Sequence, residues 1–154
     1  MTYYSIFVRA TTNSAANTED TAIDIDAAAN QVVKLVRLRI VCQTAALDNQ
    51  FRGKICRKSA SGSGGVAGTE VLLDPVNLAA QAATTIKTGT TAFGAGTITD
   101  TIDDAIQFNS RGTFEWVARD EDEKIKSAAG GIIGLNIFNS AASIAFAMYA
   151  VWEE

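Results

Sequence analysis

The side chains that could do chemistry in this sequence are mainly carboxylates, because histidine is absent. Without histidine the chain has neither the commonest general base nor the commonest metal ligand. It can form neither a Ser-His nor a Cys-His nucleophile pair. These features favour a protein that is not an enzyme and that uses no cofactor or metal.

The carboxylates are densest at Asp103-Asp104 and over residues 120–123. Two carboxylates can hydrolyse a glycosidic bond when they flank a cleft, and carboxylates can also bind calcium. Adjacent strand residues point to opposite faces, however, so sequence neighbours do not converge easily. Neither site has the spacing of a calcium loop. We expect solvated acidic turns, with calcium binding and a carboxylate-based hydrolase as the alternatives.

The glycine-rich stretch 59–69 places Gly62, Gly64 and Ala67 in a relaxed G-x-G-x-x-A pattern. A dinucleotide site would need a helix to open from this pattern, but the residues that follow have the composition of a strand. We therefore expect loops at 59–69 and at the Thr- and Gly-rich stretch 87–97, either mobile or ordered against a partner.

The cysteines and the overall charge bear on the compartment and the class of partner. Cys42 and Cys56 continue rows of residues that face opposite ways, which predicts two free thiols and a reducing compartment. The N-terminus has no signal-peptide pattern, and no apolar stretch approaches the length of a membrane span. The net charge of −4 gives no general attraction to nucleic acid or anionic membrane. We expect a protein that folds in a cytoplasm.

Basic residues are concentrated between Lys34 and Lys58, a region of the sequence whose single acidic residue is Asp48. If residues 32–42 and 49–58 form a hairpin, its polar face would be strongly basic and suited to an acidic surface. We call this predicted surface the basic patch, and it comprises Arg37, Arg39, Arg52, Lys54, Arg57 and Lys58. The alternative is a solvated sheet face whose charges discourage aggregation. Nucleic acid is the weaker partner, because Phe51 alone supplies an aromatic ring there.

The C-terminal segment 143–152 is nearly free of charge on both of its alternating faces. A strand that is apolar on both sides is usually central in its sheet and covered on both. We predict that another subunit covers one side, at an oligomer interface formed by Ala145, Ala147, Tyr149 and Val151.

The order of several segments resembles that of the jelly-roll decoration, or cement, proteins of tailed-bacteriophage heads. These segments are KLVRLRIVC, FRGKICRKS, LLDPVNLAAQAA, FNSRGTFEWVARDEDEKI and the closing VWEE. The resemblance implies a homotrimer on the outer surface of the virion capsid, with the major capsid protein as its partner. Assembly would take place in the host cytoplasm.

Period-two alternation along the chain, punctuated by turn residues, predicts one all-β domain over residues 1–154. We expect an antiparallel β-sandwich of jelly-roll type, with an immunoglobulin-like sandwich or a small closed barrel as alternatives. Asp74-Pro75 predicts one short helix over residues 75–82. The expected core contains Leu38, Ile40, Phe114, Trp116 and Phe146.

The expected function is that of a capsid-binding virion protein. The alternative is a carbohydrate- or receptor-binding jelly-roll module of a phage particle. The aromatic contacts of such a module would be Tyr3, Tyr4 or Phe93.

Overall fold

A computed structural model describes residues 2–12, 18–43, 49–73, 84–138 and 143–154 of the chain. The strands in these ranges are β1 (Tyr3–Thr11), β2 (Glu19–Asp26), β3 (Lys34–Cys42), β4 (Gln50–Ala60), β5 (Val66–Ala67), β6 (Val71–Leu72), β7 (Thr85–Gly94), β8 (Thr97–Asn109), β9 (Thr113–Val117), β10 (Ile125–Lys126), β11 (Ile132–Phe138) and β12 (Ala145–Glu153). The helix predicted over 75–82 lies outside the described residues. Within the described ranges there is no helix long and apolar enough to cross a membrane.

The strands form two antiparallel sheets that pack face to face, which confirms the predicted β-sandwich. Sheet A has the order β9-β3-β12-β1, with β10 beside β3 and β6 beside β1. Sheet B has the order β7-β2-β11-β4-β8, with β5 beside β7. The chain passes repeatedly from one sheet to the other, so that β1 and β3 lie in sheet A while β2 and β4 lie in sheet B. This is the connectivity of a jelly roll.

The core lies between the two sheets and is built from alternate residues of the long strands. Leu38, Ile40 and Phe146 are at most 1% exposed, which confirms their prediction as core residues. Phe114 and Trp116 are only partly buried, and they pack against the core from its margin. The reason is that their strand, β9, lies at the edge of sheet A.

The stretch 87–97 is not the loop that its composition predicts. Most of it belongs to β7, which pairs along β2, and its last residue begins β8. Ile86 and Phe93 of β7 are buried. Threonine is β-branched and suits a pleated, half-buried surface, so the Thr-rich composition is compatible with a strand.

A buried ion pair ties β4 to β2 across the intervening strand β11. Lys58 Nζ lies 2.8 Å from Asp24 Oδ1 and 2.6 Å from Thr21 Oγ1, and both charged side chains are fully buried. The lysine side chain passes over Gly134, where any Cβ atom would clash with it. Burial raises the pKa of Asp24, and the neighbouring Lys58 opposes that rise. Lys58 is therefore part of the interior, and its prediction as a surface contact is wrong.

Four charged side chains form a closed ring of ion pairs on sheet A. Lys34 and Lys124 each contact both Glu121 and Glu153, with N–O distances from 2.5 to 3.0 Å. Hydrogen bonds from the two lysines lower the pKa of Glu121 to about 2. Burial acts to raise the pKa of Glu153, but hydrogen bonds from the same lysines and from Tyr3 bring it below its usual value. The ring holds the segment before β10 against β3 and β12.

Replacing Lys58 with Met should destabilise the fold by about 3–5 kcal/mol at neutral pH, because Asp24 is left buried without a counter-charge. Without Lys58, the folded-state pKa of Asp24 lies above its unfolded value, so the loss should shrink as the pH falls and Asp24 protonates. Urea unfolding measures both effects. The double variant Lys58→Met/Asp24→Asn should recover most of the loss at neutral pH. Wild-type stability of the single variant would contradict this account of the pair.

The ion-pair ring should make the fold sensitive to acid. The folded-state pKa of Glu121, about 2, lies below the ordinary value of 4.5. Its contribution to stability is therefore complete above pH 4.5 and is lost as the pH falls towards 2. Thermal unfolding across this range should show a shallower pH dependence for Glu121→Gln than for the wild type. The control is Asp122→Asn, which removes a charge from the same turn outside the ring, and an equal effect of both variants would contradict the assignment.

Candidate functional site

The outer face of sheet A, which points away from the core, carries side chains in rows across four strands. In the middle row, Phe7 pairs with Tyr149, Tyr149 with Arg39, and Arg39 with Glu115. The two flanking rows are Ser5, Val151, Arg37 and Val117 on one side, and Arg9, Ala147, Val41 and Thr113 on the other. Apolar side chains and arginines are thus interleaved on one surface.

Several apolar side chains on this face are open to solvent. Phe7 is 56% exposed and Val117 is 48% exposed. Val71 of β6 pairs with Ser5, lies on the same face, and is 59% exposed. These are three of the six large apolar side chains that are exposed in the described part of the chain. Exposed apolar groups that cluster on one face indicate a binding surface.

The arginines of this face are held in different ways. Arg37 donates hydrogen bonds from Nε (2.8 Å) and Nη2 to Glu115, and its guanidinium lies 5.9 Å from the centre of the Tyr149 ring. Arg9 lies 5.6 Å from the centre of the Phe7 ring. Arg39 is exposed and makes no ion pair within the described residues. Arg39 therefore offers a free, planar set of donors to a carboxylate or phosphate.

A groove of about 450 Å³ crosses this face. It is lined by Phe7, Arg37, Arg39, Val41, Gln43, Ala147 and Tyr149. Alternate residues of β3 form one side, β12 forms the floor, and Phe7 of β1 lies opposite. The groove thus brings two predicted basic-patch residues together with two predicted interface residues.

The rest of the basic patch lies elsewhere, because β3 and β4 do not form a hairpin. The two strands belong to different sheets, so the prediction of one continuous patch is wrong. Arg52 and Lys54 lie on the outer face of sheet B, next to the ring of Phe138. Only Arg37 and Arg39 of the six residues are on the outer face of sheet A.

Most basic side chains of β4 are already neutralised within the protein. Lys54 Nζ lies 2.7 Å from Glu19, and Arg57 pairs with Asp100 at 2.5 Å. Arg57 also donates a hydrogen bond to the carbonyl oxygen of Lys126. Together with the buried Lys58, these contacts give three of the four basic residues of β4 ionic partners within the protein, and Arg52 is the fourth.

The predicted interface residues do lie together on the outer face of sheet A. The structure places Ala145, Ala147, Tyr149 and Val151 along the outward side of β12. Ala147 and Val151 are already 95% and 93% covered within the chain, so Tyr149 is the more accessible of the larger residues. Phe7 was not predicted for this site, although its alternation with buried Ile6 and Val8 placed it on an outward face.

Other candidate residues serve the structure. Tyr4 and Phe93, predicted as exposed aromatic contacts, are 3% and 4% exposed and lie in the interior. Gly62 approaches the backbone of Gly94 so closely that no side chain would fit there. Gly62 of the pattern therefore serves close packing between two backbone segments, while Gly64 has a positive φ of 90°.

The acidic run forms a turn in the structure. Asp120 Oδ1 accepts hydrogen bonds from the backbone N–H groups of Asp122 (3.0 Å) and Glu123 (3.1 Å). Asp103 Oδ1 likewise accepts one from Ala105 at 2.8 Å. Among the described residues, no three His, Cys, Asp or Glu side chains are placed to hold a metal ion.

The two cysteines are free thiols, which confirms that prediction. Burial raises the pKa of Cys42 and of Cys56 to about 11. Neither is a thiolate at neutral pH, and the thiolate is the nucleophilic form.

No family model, curated protein or solved structure matches the chain. Function must therefore be inferred from the residues themselves. The outer face of sheet A is the strongest candidate because it combines exposed apolar surface, a free guanidinium and a groove.

Proposed function

We propose that the chain is a non-catalytic structural protein of a tailed-phage particle, a decoration protein that binds the outer capsid surface and stabilises it. The observation that carries this proposal is the outer face of sheet A, where exposed apolar side chains and arginines share one surface. The partner would be the major capsid protein, and no nucleic acid, membrane, metal or cofactor would take part.

The apolar part of the face would supply most of the binding free energy. Burying apolar surface contributes about 25 cal/mol per Å². Aromatic and arginine side chains dominate binding at protein interfaces. Phe7 is more than half exposed and Tyr149 lies beside it, so the face offers two aromatic anchors.

The charge of the face favours an acidic partner over a second copy of this chain. Arg9, Arg37 and Arg39 share the face, while Glu115 is already bonded to Arg37. A two-fold symmetric contact would bring this arginine-bearing face against the same face of a second copy. An acidic surface would complement them and speed association. We therefore assign this face to the capsid, although the sequence predicts a homo-oligomer interface there.

The homotrimer implied by the family resemblance stays a prediction. Three copies bound together would multiply weak capsid contacts through avidity. In such a homotrimer, each copy would turn the outer face of sheet A to the capsid. The contacts between subunits would therefore lie elsewhere on the protein.

A non-catalytic role is supported by the residues available. The sequence has no histidine, and burial keeps both cysteines protonated at neutral pH. The acidic run is engaged in a turn and in the ion-pair ring.

A carbohydrate-binding role is the second candidate, and the groove favours it. Phe7 and Tyr149 could stack on a sugar ring while Arg39 binds the carboxylate of an acidic sugar. A glycan array that includes acidic glycans separates this candidate from the first. Glycan binding that is lost in Arg39→Glu would favour it, and an array without binding would remove it.

Arg39→Glu and Phe7→Ser should each weaken capsid binding about tenfold or more, because each removes an anchor of the docking face. Both side chains are exposed, so stability should change little. The measurement is co-sedimentation with capsids of the phage that encodes the chain, prepared without it. Arg52→Glu is the matched control, since Arg52 is also exposed beside an aromatic ring but lies on sheet B.

The Arg52→Glu control shows whether the outer face of sheet A or that of sheet B binds the capsid. Loss of binding in Arg52→Glu, with normal binding of Arg39→Glu and Phe7→Ser, would move the docking surface to sheet B. Failure of the wild-type protein to bind capsids would contradict the proposed function itself.

A further inference from the structure

We propose that the groove on sheet A binds an extended segment of the capsid protein that carries an acidic and an apolar residue at alternate positions. This inference rests on the proposed docking of sheet A to the capsid. It adds the shape and the chemistry of the contact.

The groove has the dimensions of a single extended chain. The side formed by β3 and the residue after it runs from Arg37 to Gln43, which is six residue steps. At about 3.3 Å per residue this gives a length of about 20 Å. From β1 to β3 are two strand spacings, or about 10 Å. An extended segment of about six residues matches this length.

The floor of the groove leaves room for such a segment. Ala147 lines the floor and has a small side chain, which its neighbours already cover to 95%. Phe7 stands on one side of it, since β1 and β12 are paired. Arg37, Arg39 and their strand form the other side. Between Phe7 and the β3 side chains, the small side chain of Ala147 leaves a channel that Tyr149 also lines.

The two sides of the channel differ in chemistry, and this difference specifies the segment. Arg39 has no ion pair within the described residues, so its guanidinium is free to bind a carboxylate in a bidentate way. Phe7 and Tyr149 offer apolar contact. In an extended segment, residues two apart face the same way. One acidic and one apolar side chain at alternate positions can therefore both point into the groove.

A steric block tests the shape of the site. Ala147→Trp fills the channel from its floor on the outer face, away from the core, and should reduce capsid co-sedimentation at least tenfold. Ala145→Trp is the matched control, because Ala145 lies on the same strand and face but does not line the groove. It should bind capsids as the wild type does. Circular dichroism and urea unfolding check that both variants are folded.

A peptide probe tests the chemistry without capsids. The probe is the hexapeptide acetyl-Ser-Asp-Ser-Phe-Ser-Ser-amide, and its Asn analogue removes the charge. In an NMR titration the Asp peptide should shift the signals of the Arg39 side chain, Ala147 and Tyr149. The Asn analogue should shift them less, and the Asp peptide should have no effect at the groove of Ala147→Trp.

The two experiments separate this inference from the proposed function. If Ala147→Trp binds capsids normally and the peptide shifts no groove signal, the groove inference is overturned while capsid docking stands. If the peptide binds in the groove but wild-type protein does not bind capsids, the groove chemistry stands and the proposed function fails. A block by Ala147→Trp without any peptide shift overturns the assigned chemistry.

Discussion

The position of β12 between β1 and β3 is the constraint on which the candidate site depends. β12 is paired on both edges, and its residues, as in any strand, alternate between the core and the outer face of sheet A. Phe146 and Trp152 fill the core, while Ala147 and Tyr149 form the floor of the groove. The same pairing brings Phe7 and Arg39, from distant parts of the chain, to opposite sides of that floor.

Alternation could be predicted from the sequence, but the pairing of strands could not. The outward row of β12 and the buried Leu38 and Ile40 follow from period two alone. The sequence predicts a hairpin of β3 with β4, since neighbouring strands often pair. In a jelly roll the chain instead crosses to the other sheet, which separates Arg37 from Arg52. This crossing depends on packing of the whole chain and leaves no local signal in the sequence.

Some basic residues are engaged in ion pairs within the fold, and others are open to a partner. The sequence does not distinguish the two groups. Lys58 is fully buried against Asp24, and Lys34 belongs to the ion-pair ring. Arg39 has no such partner within the described residues. In the sequence, Lys34, Arg39 and Lys58 are equivalent basic residues of one region. The three residues differ in the side chains that the neighbouring strands place beside them. Lys58, for example, lies over Gly134, whose missing side chain lets Lys58 reach Asp24.

We propose that the outer face of sheet A meets the capsid. Cryo-electron microscopy of capsids decorated with this protein tests it most directly, because the orientation of the sandwich on the shell is then visible. We expect sheet A to lie against the shell, with Phe7 and Arg39 in the contact and an extended capsid segment along β12. A particle with sheet B against the shell and the groove open to solvent would contradict it.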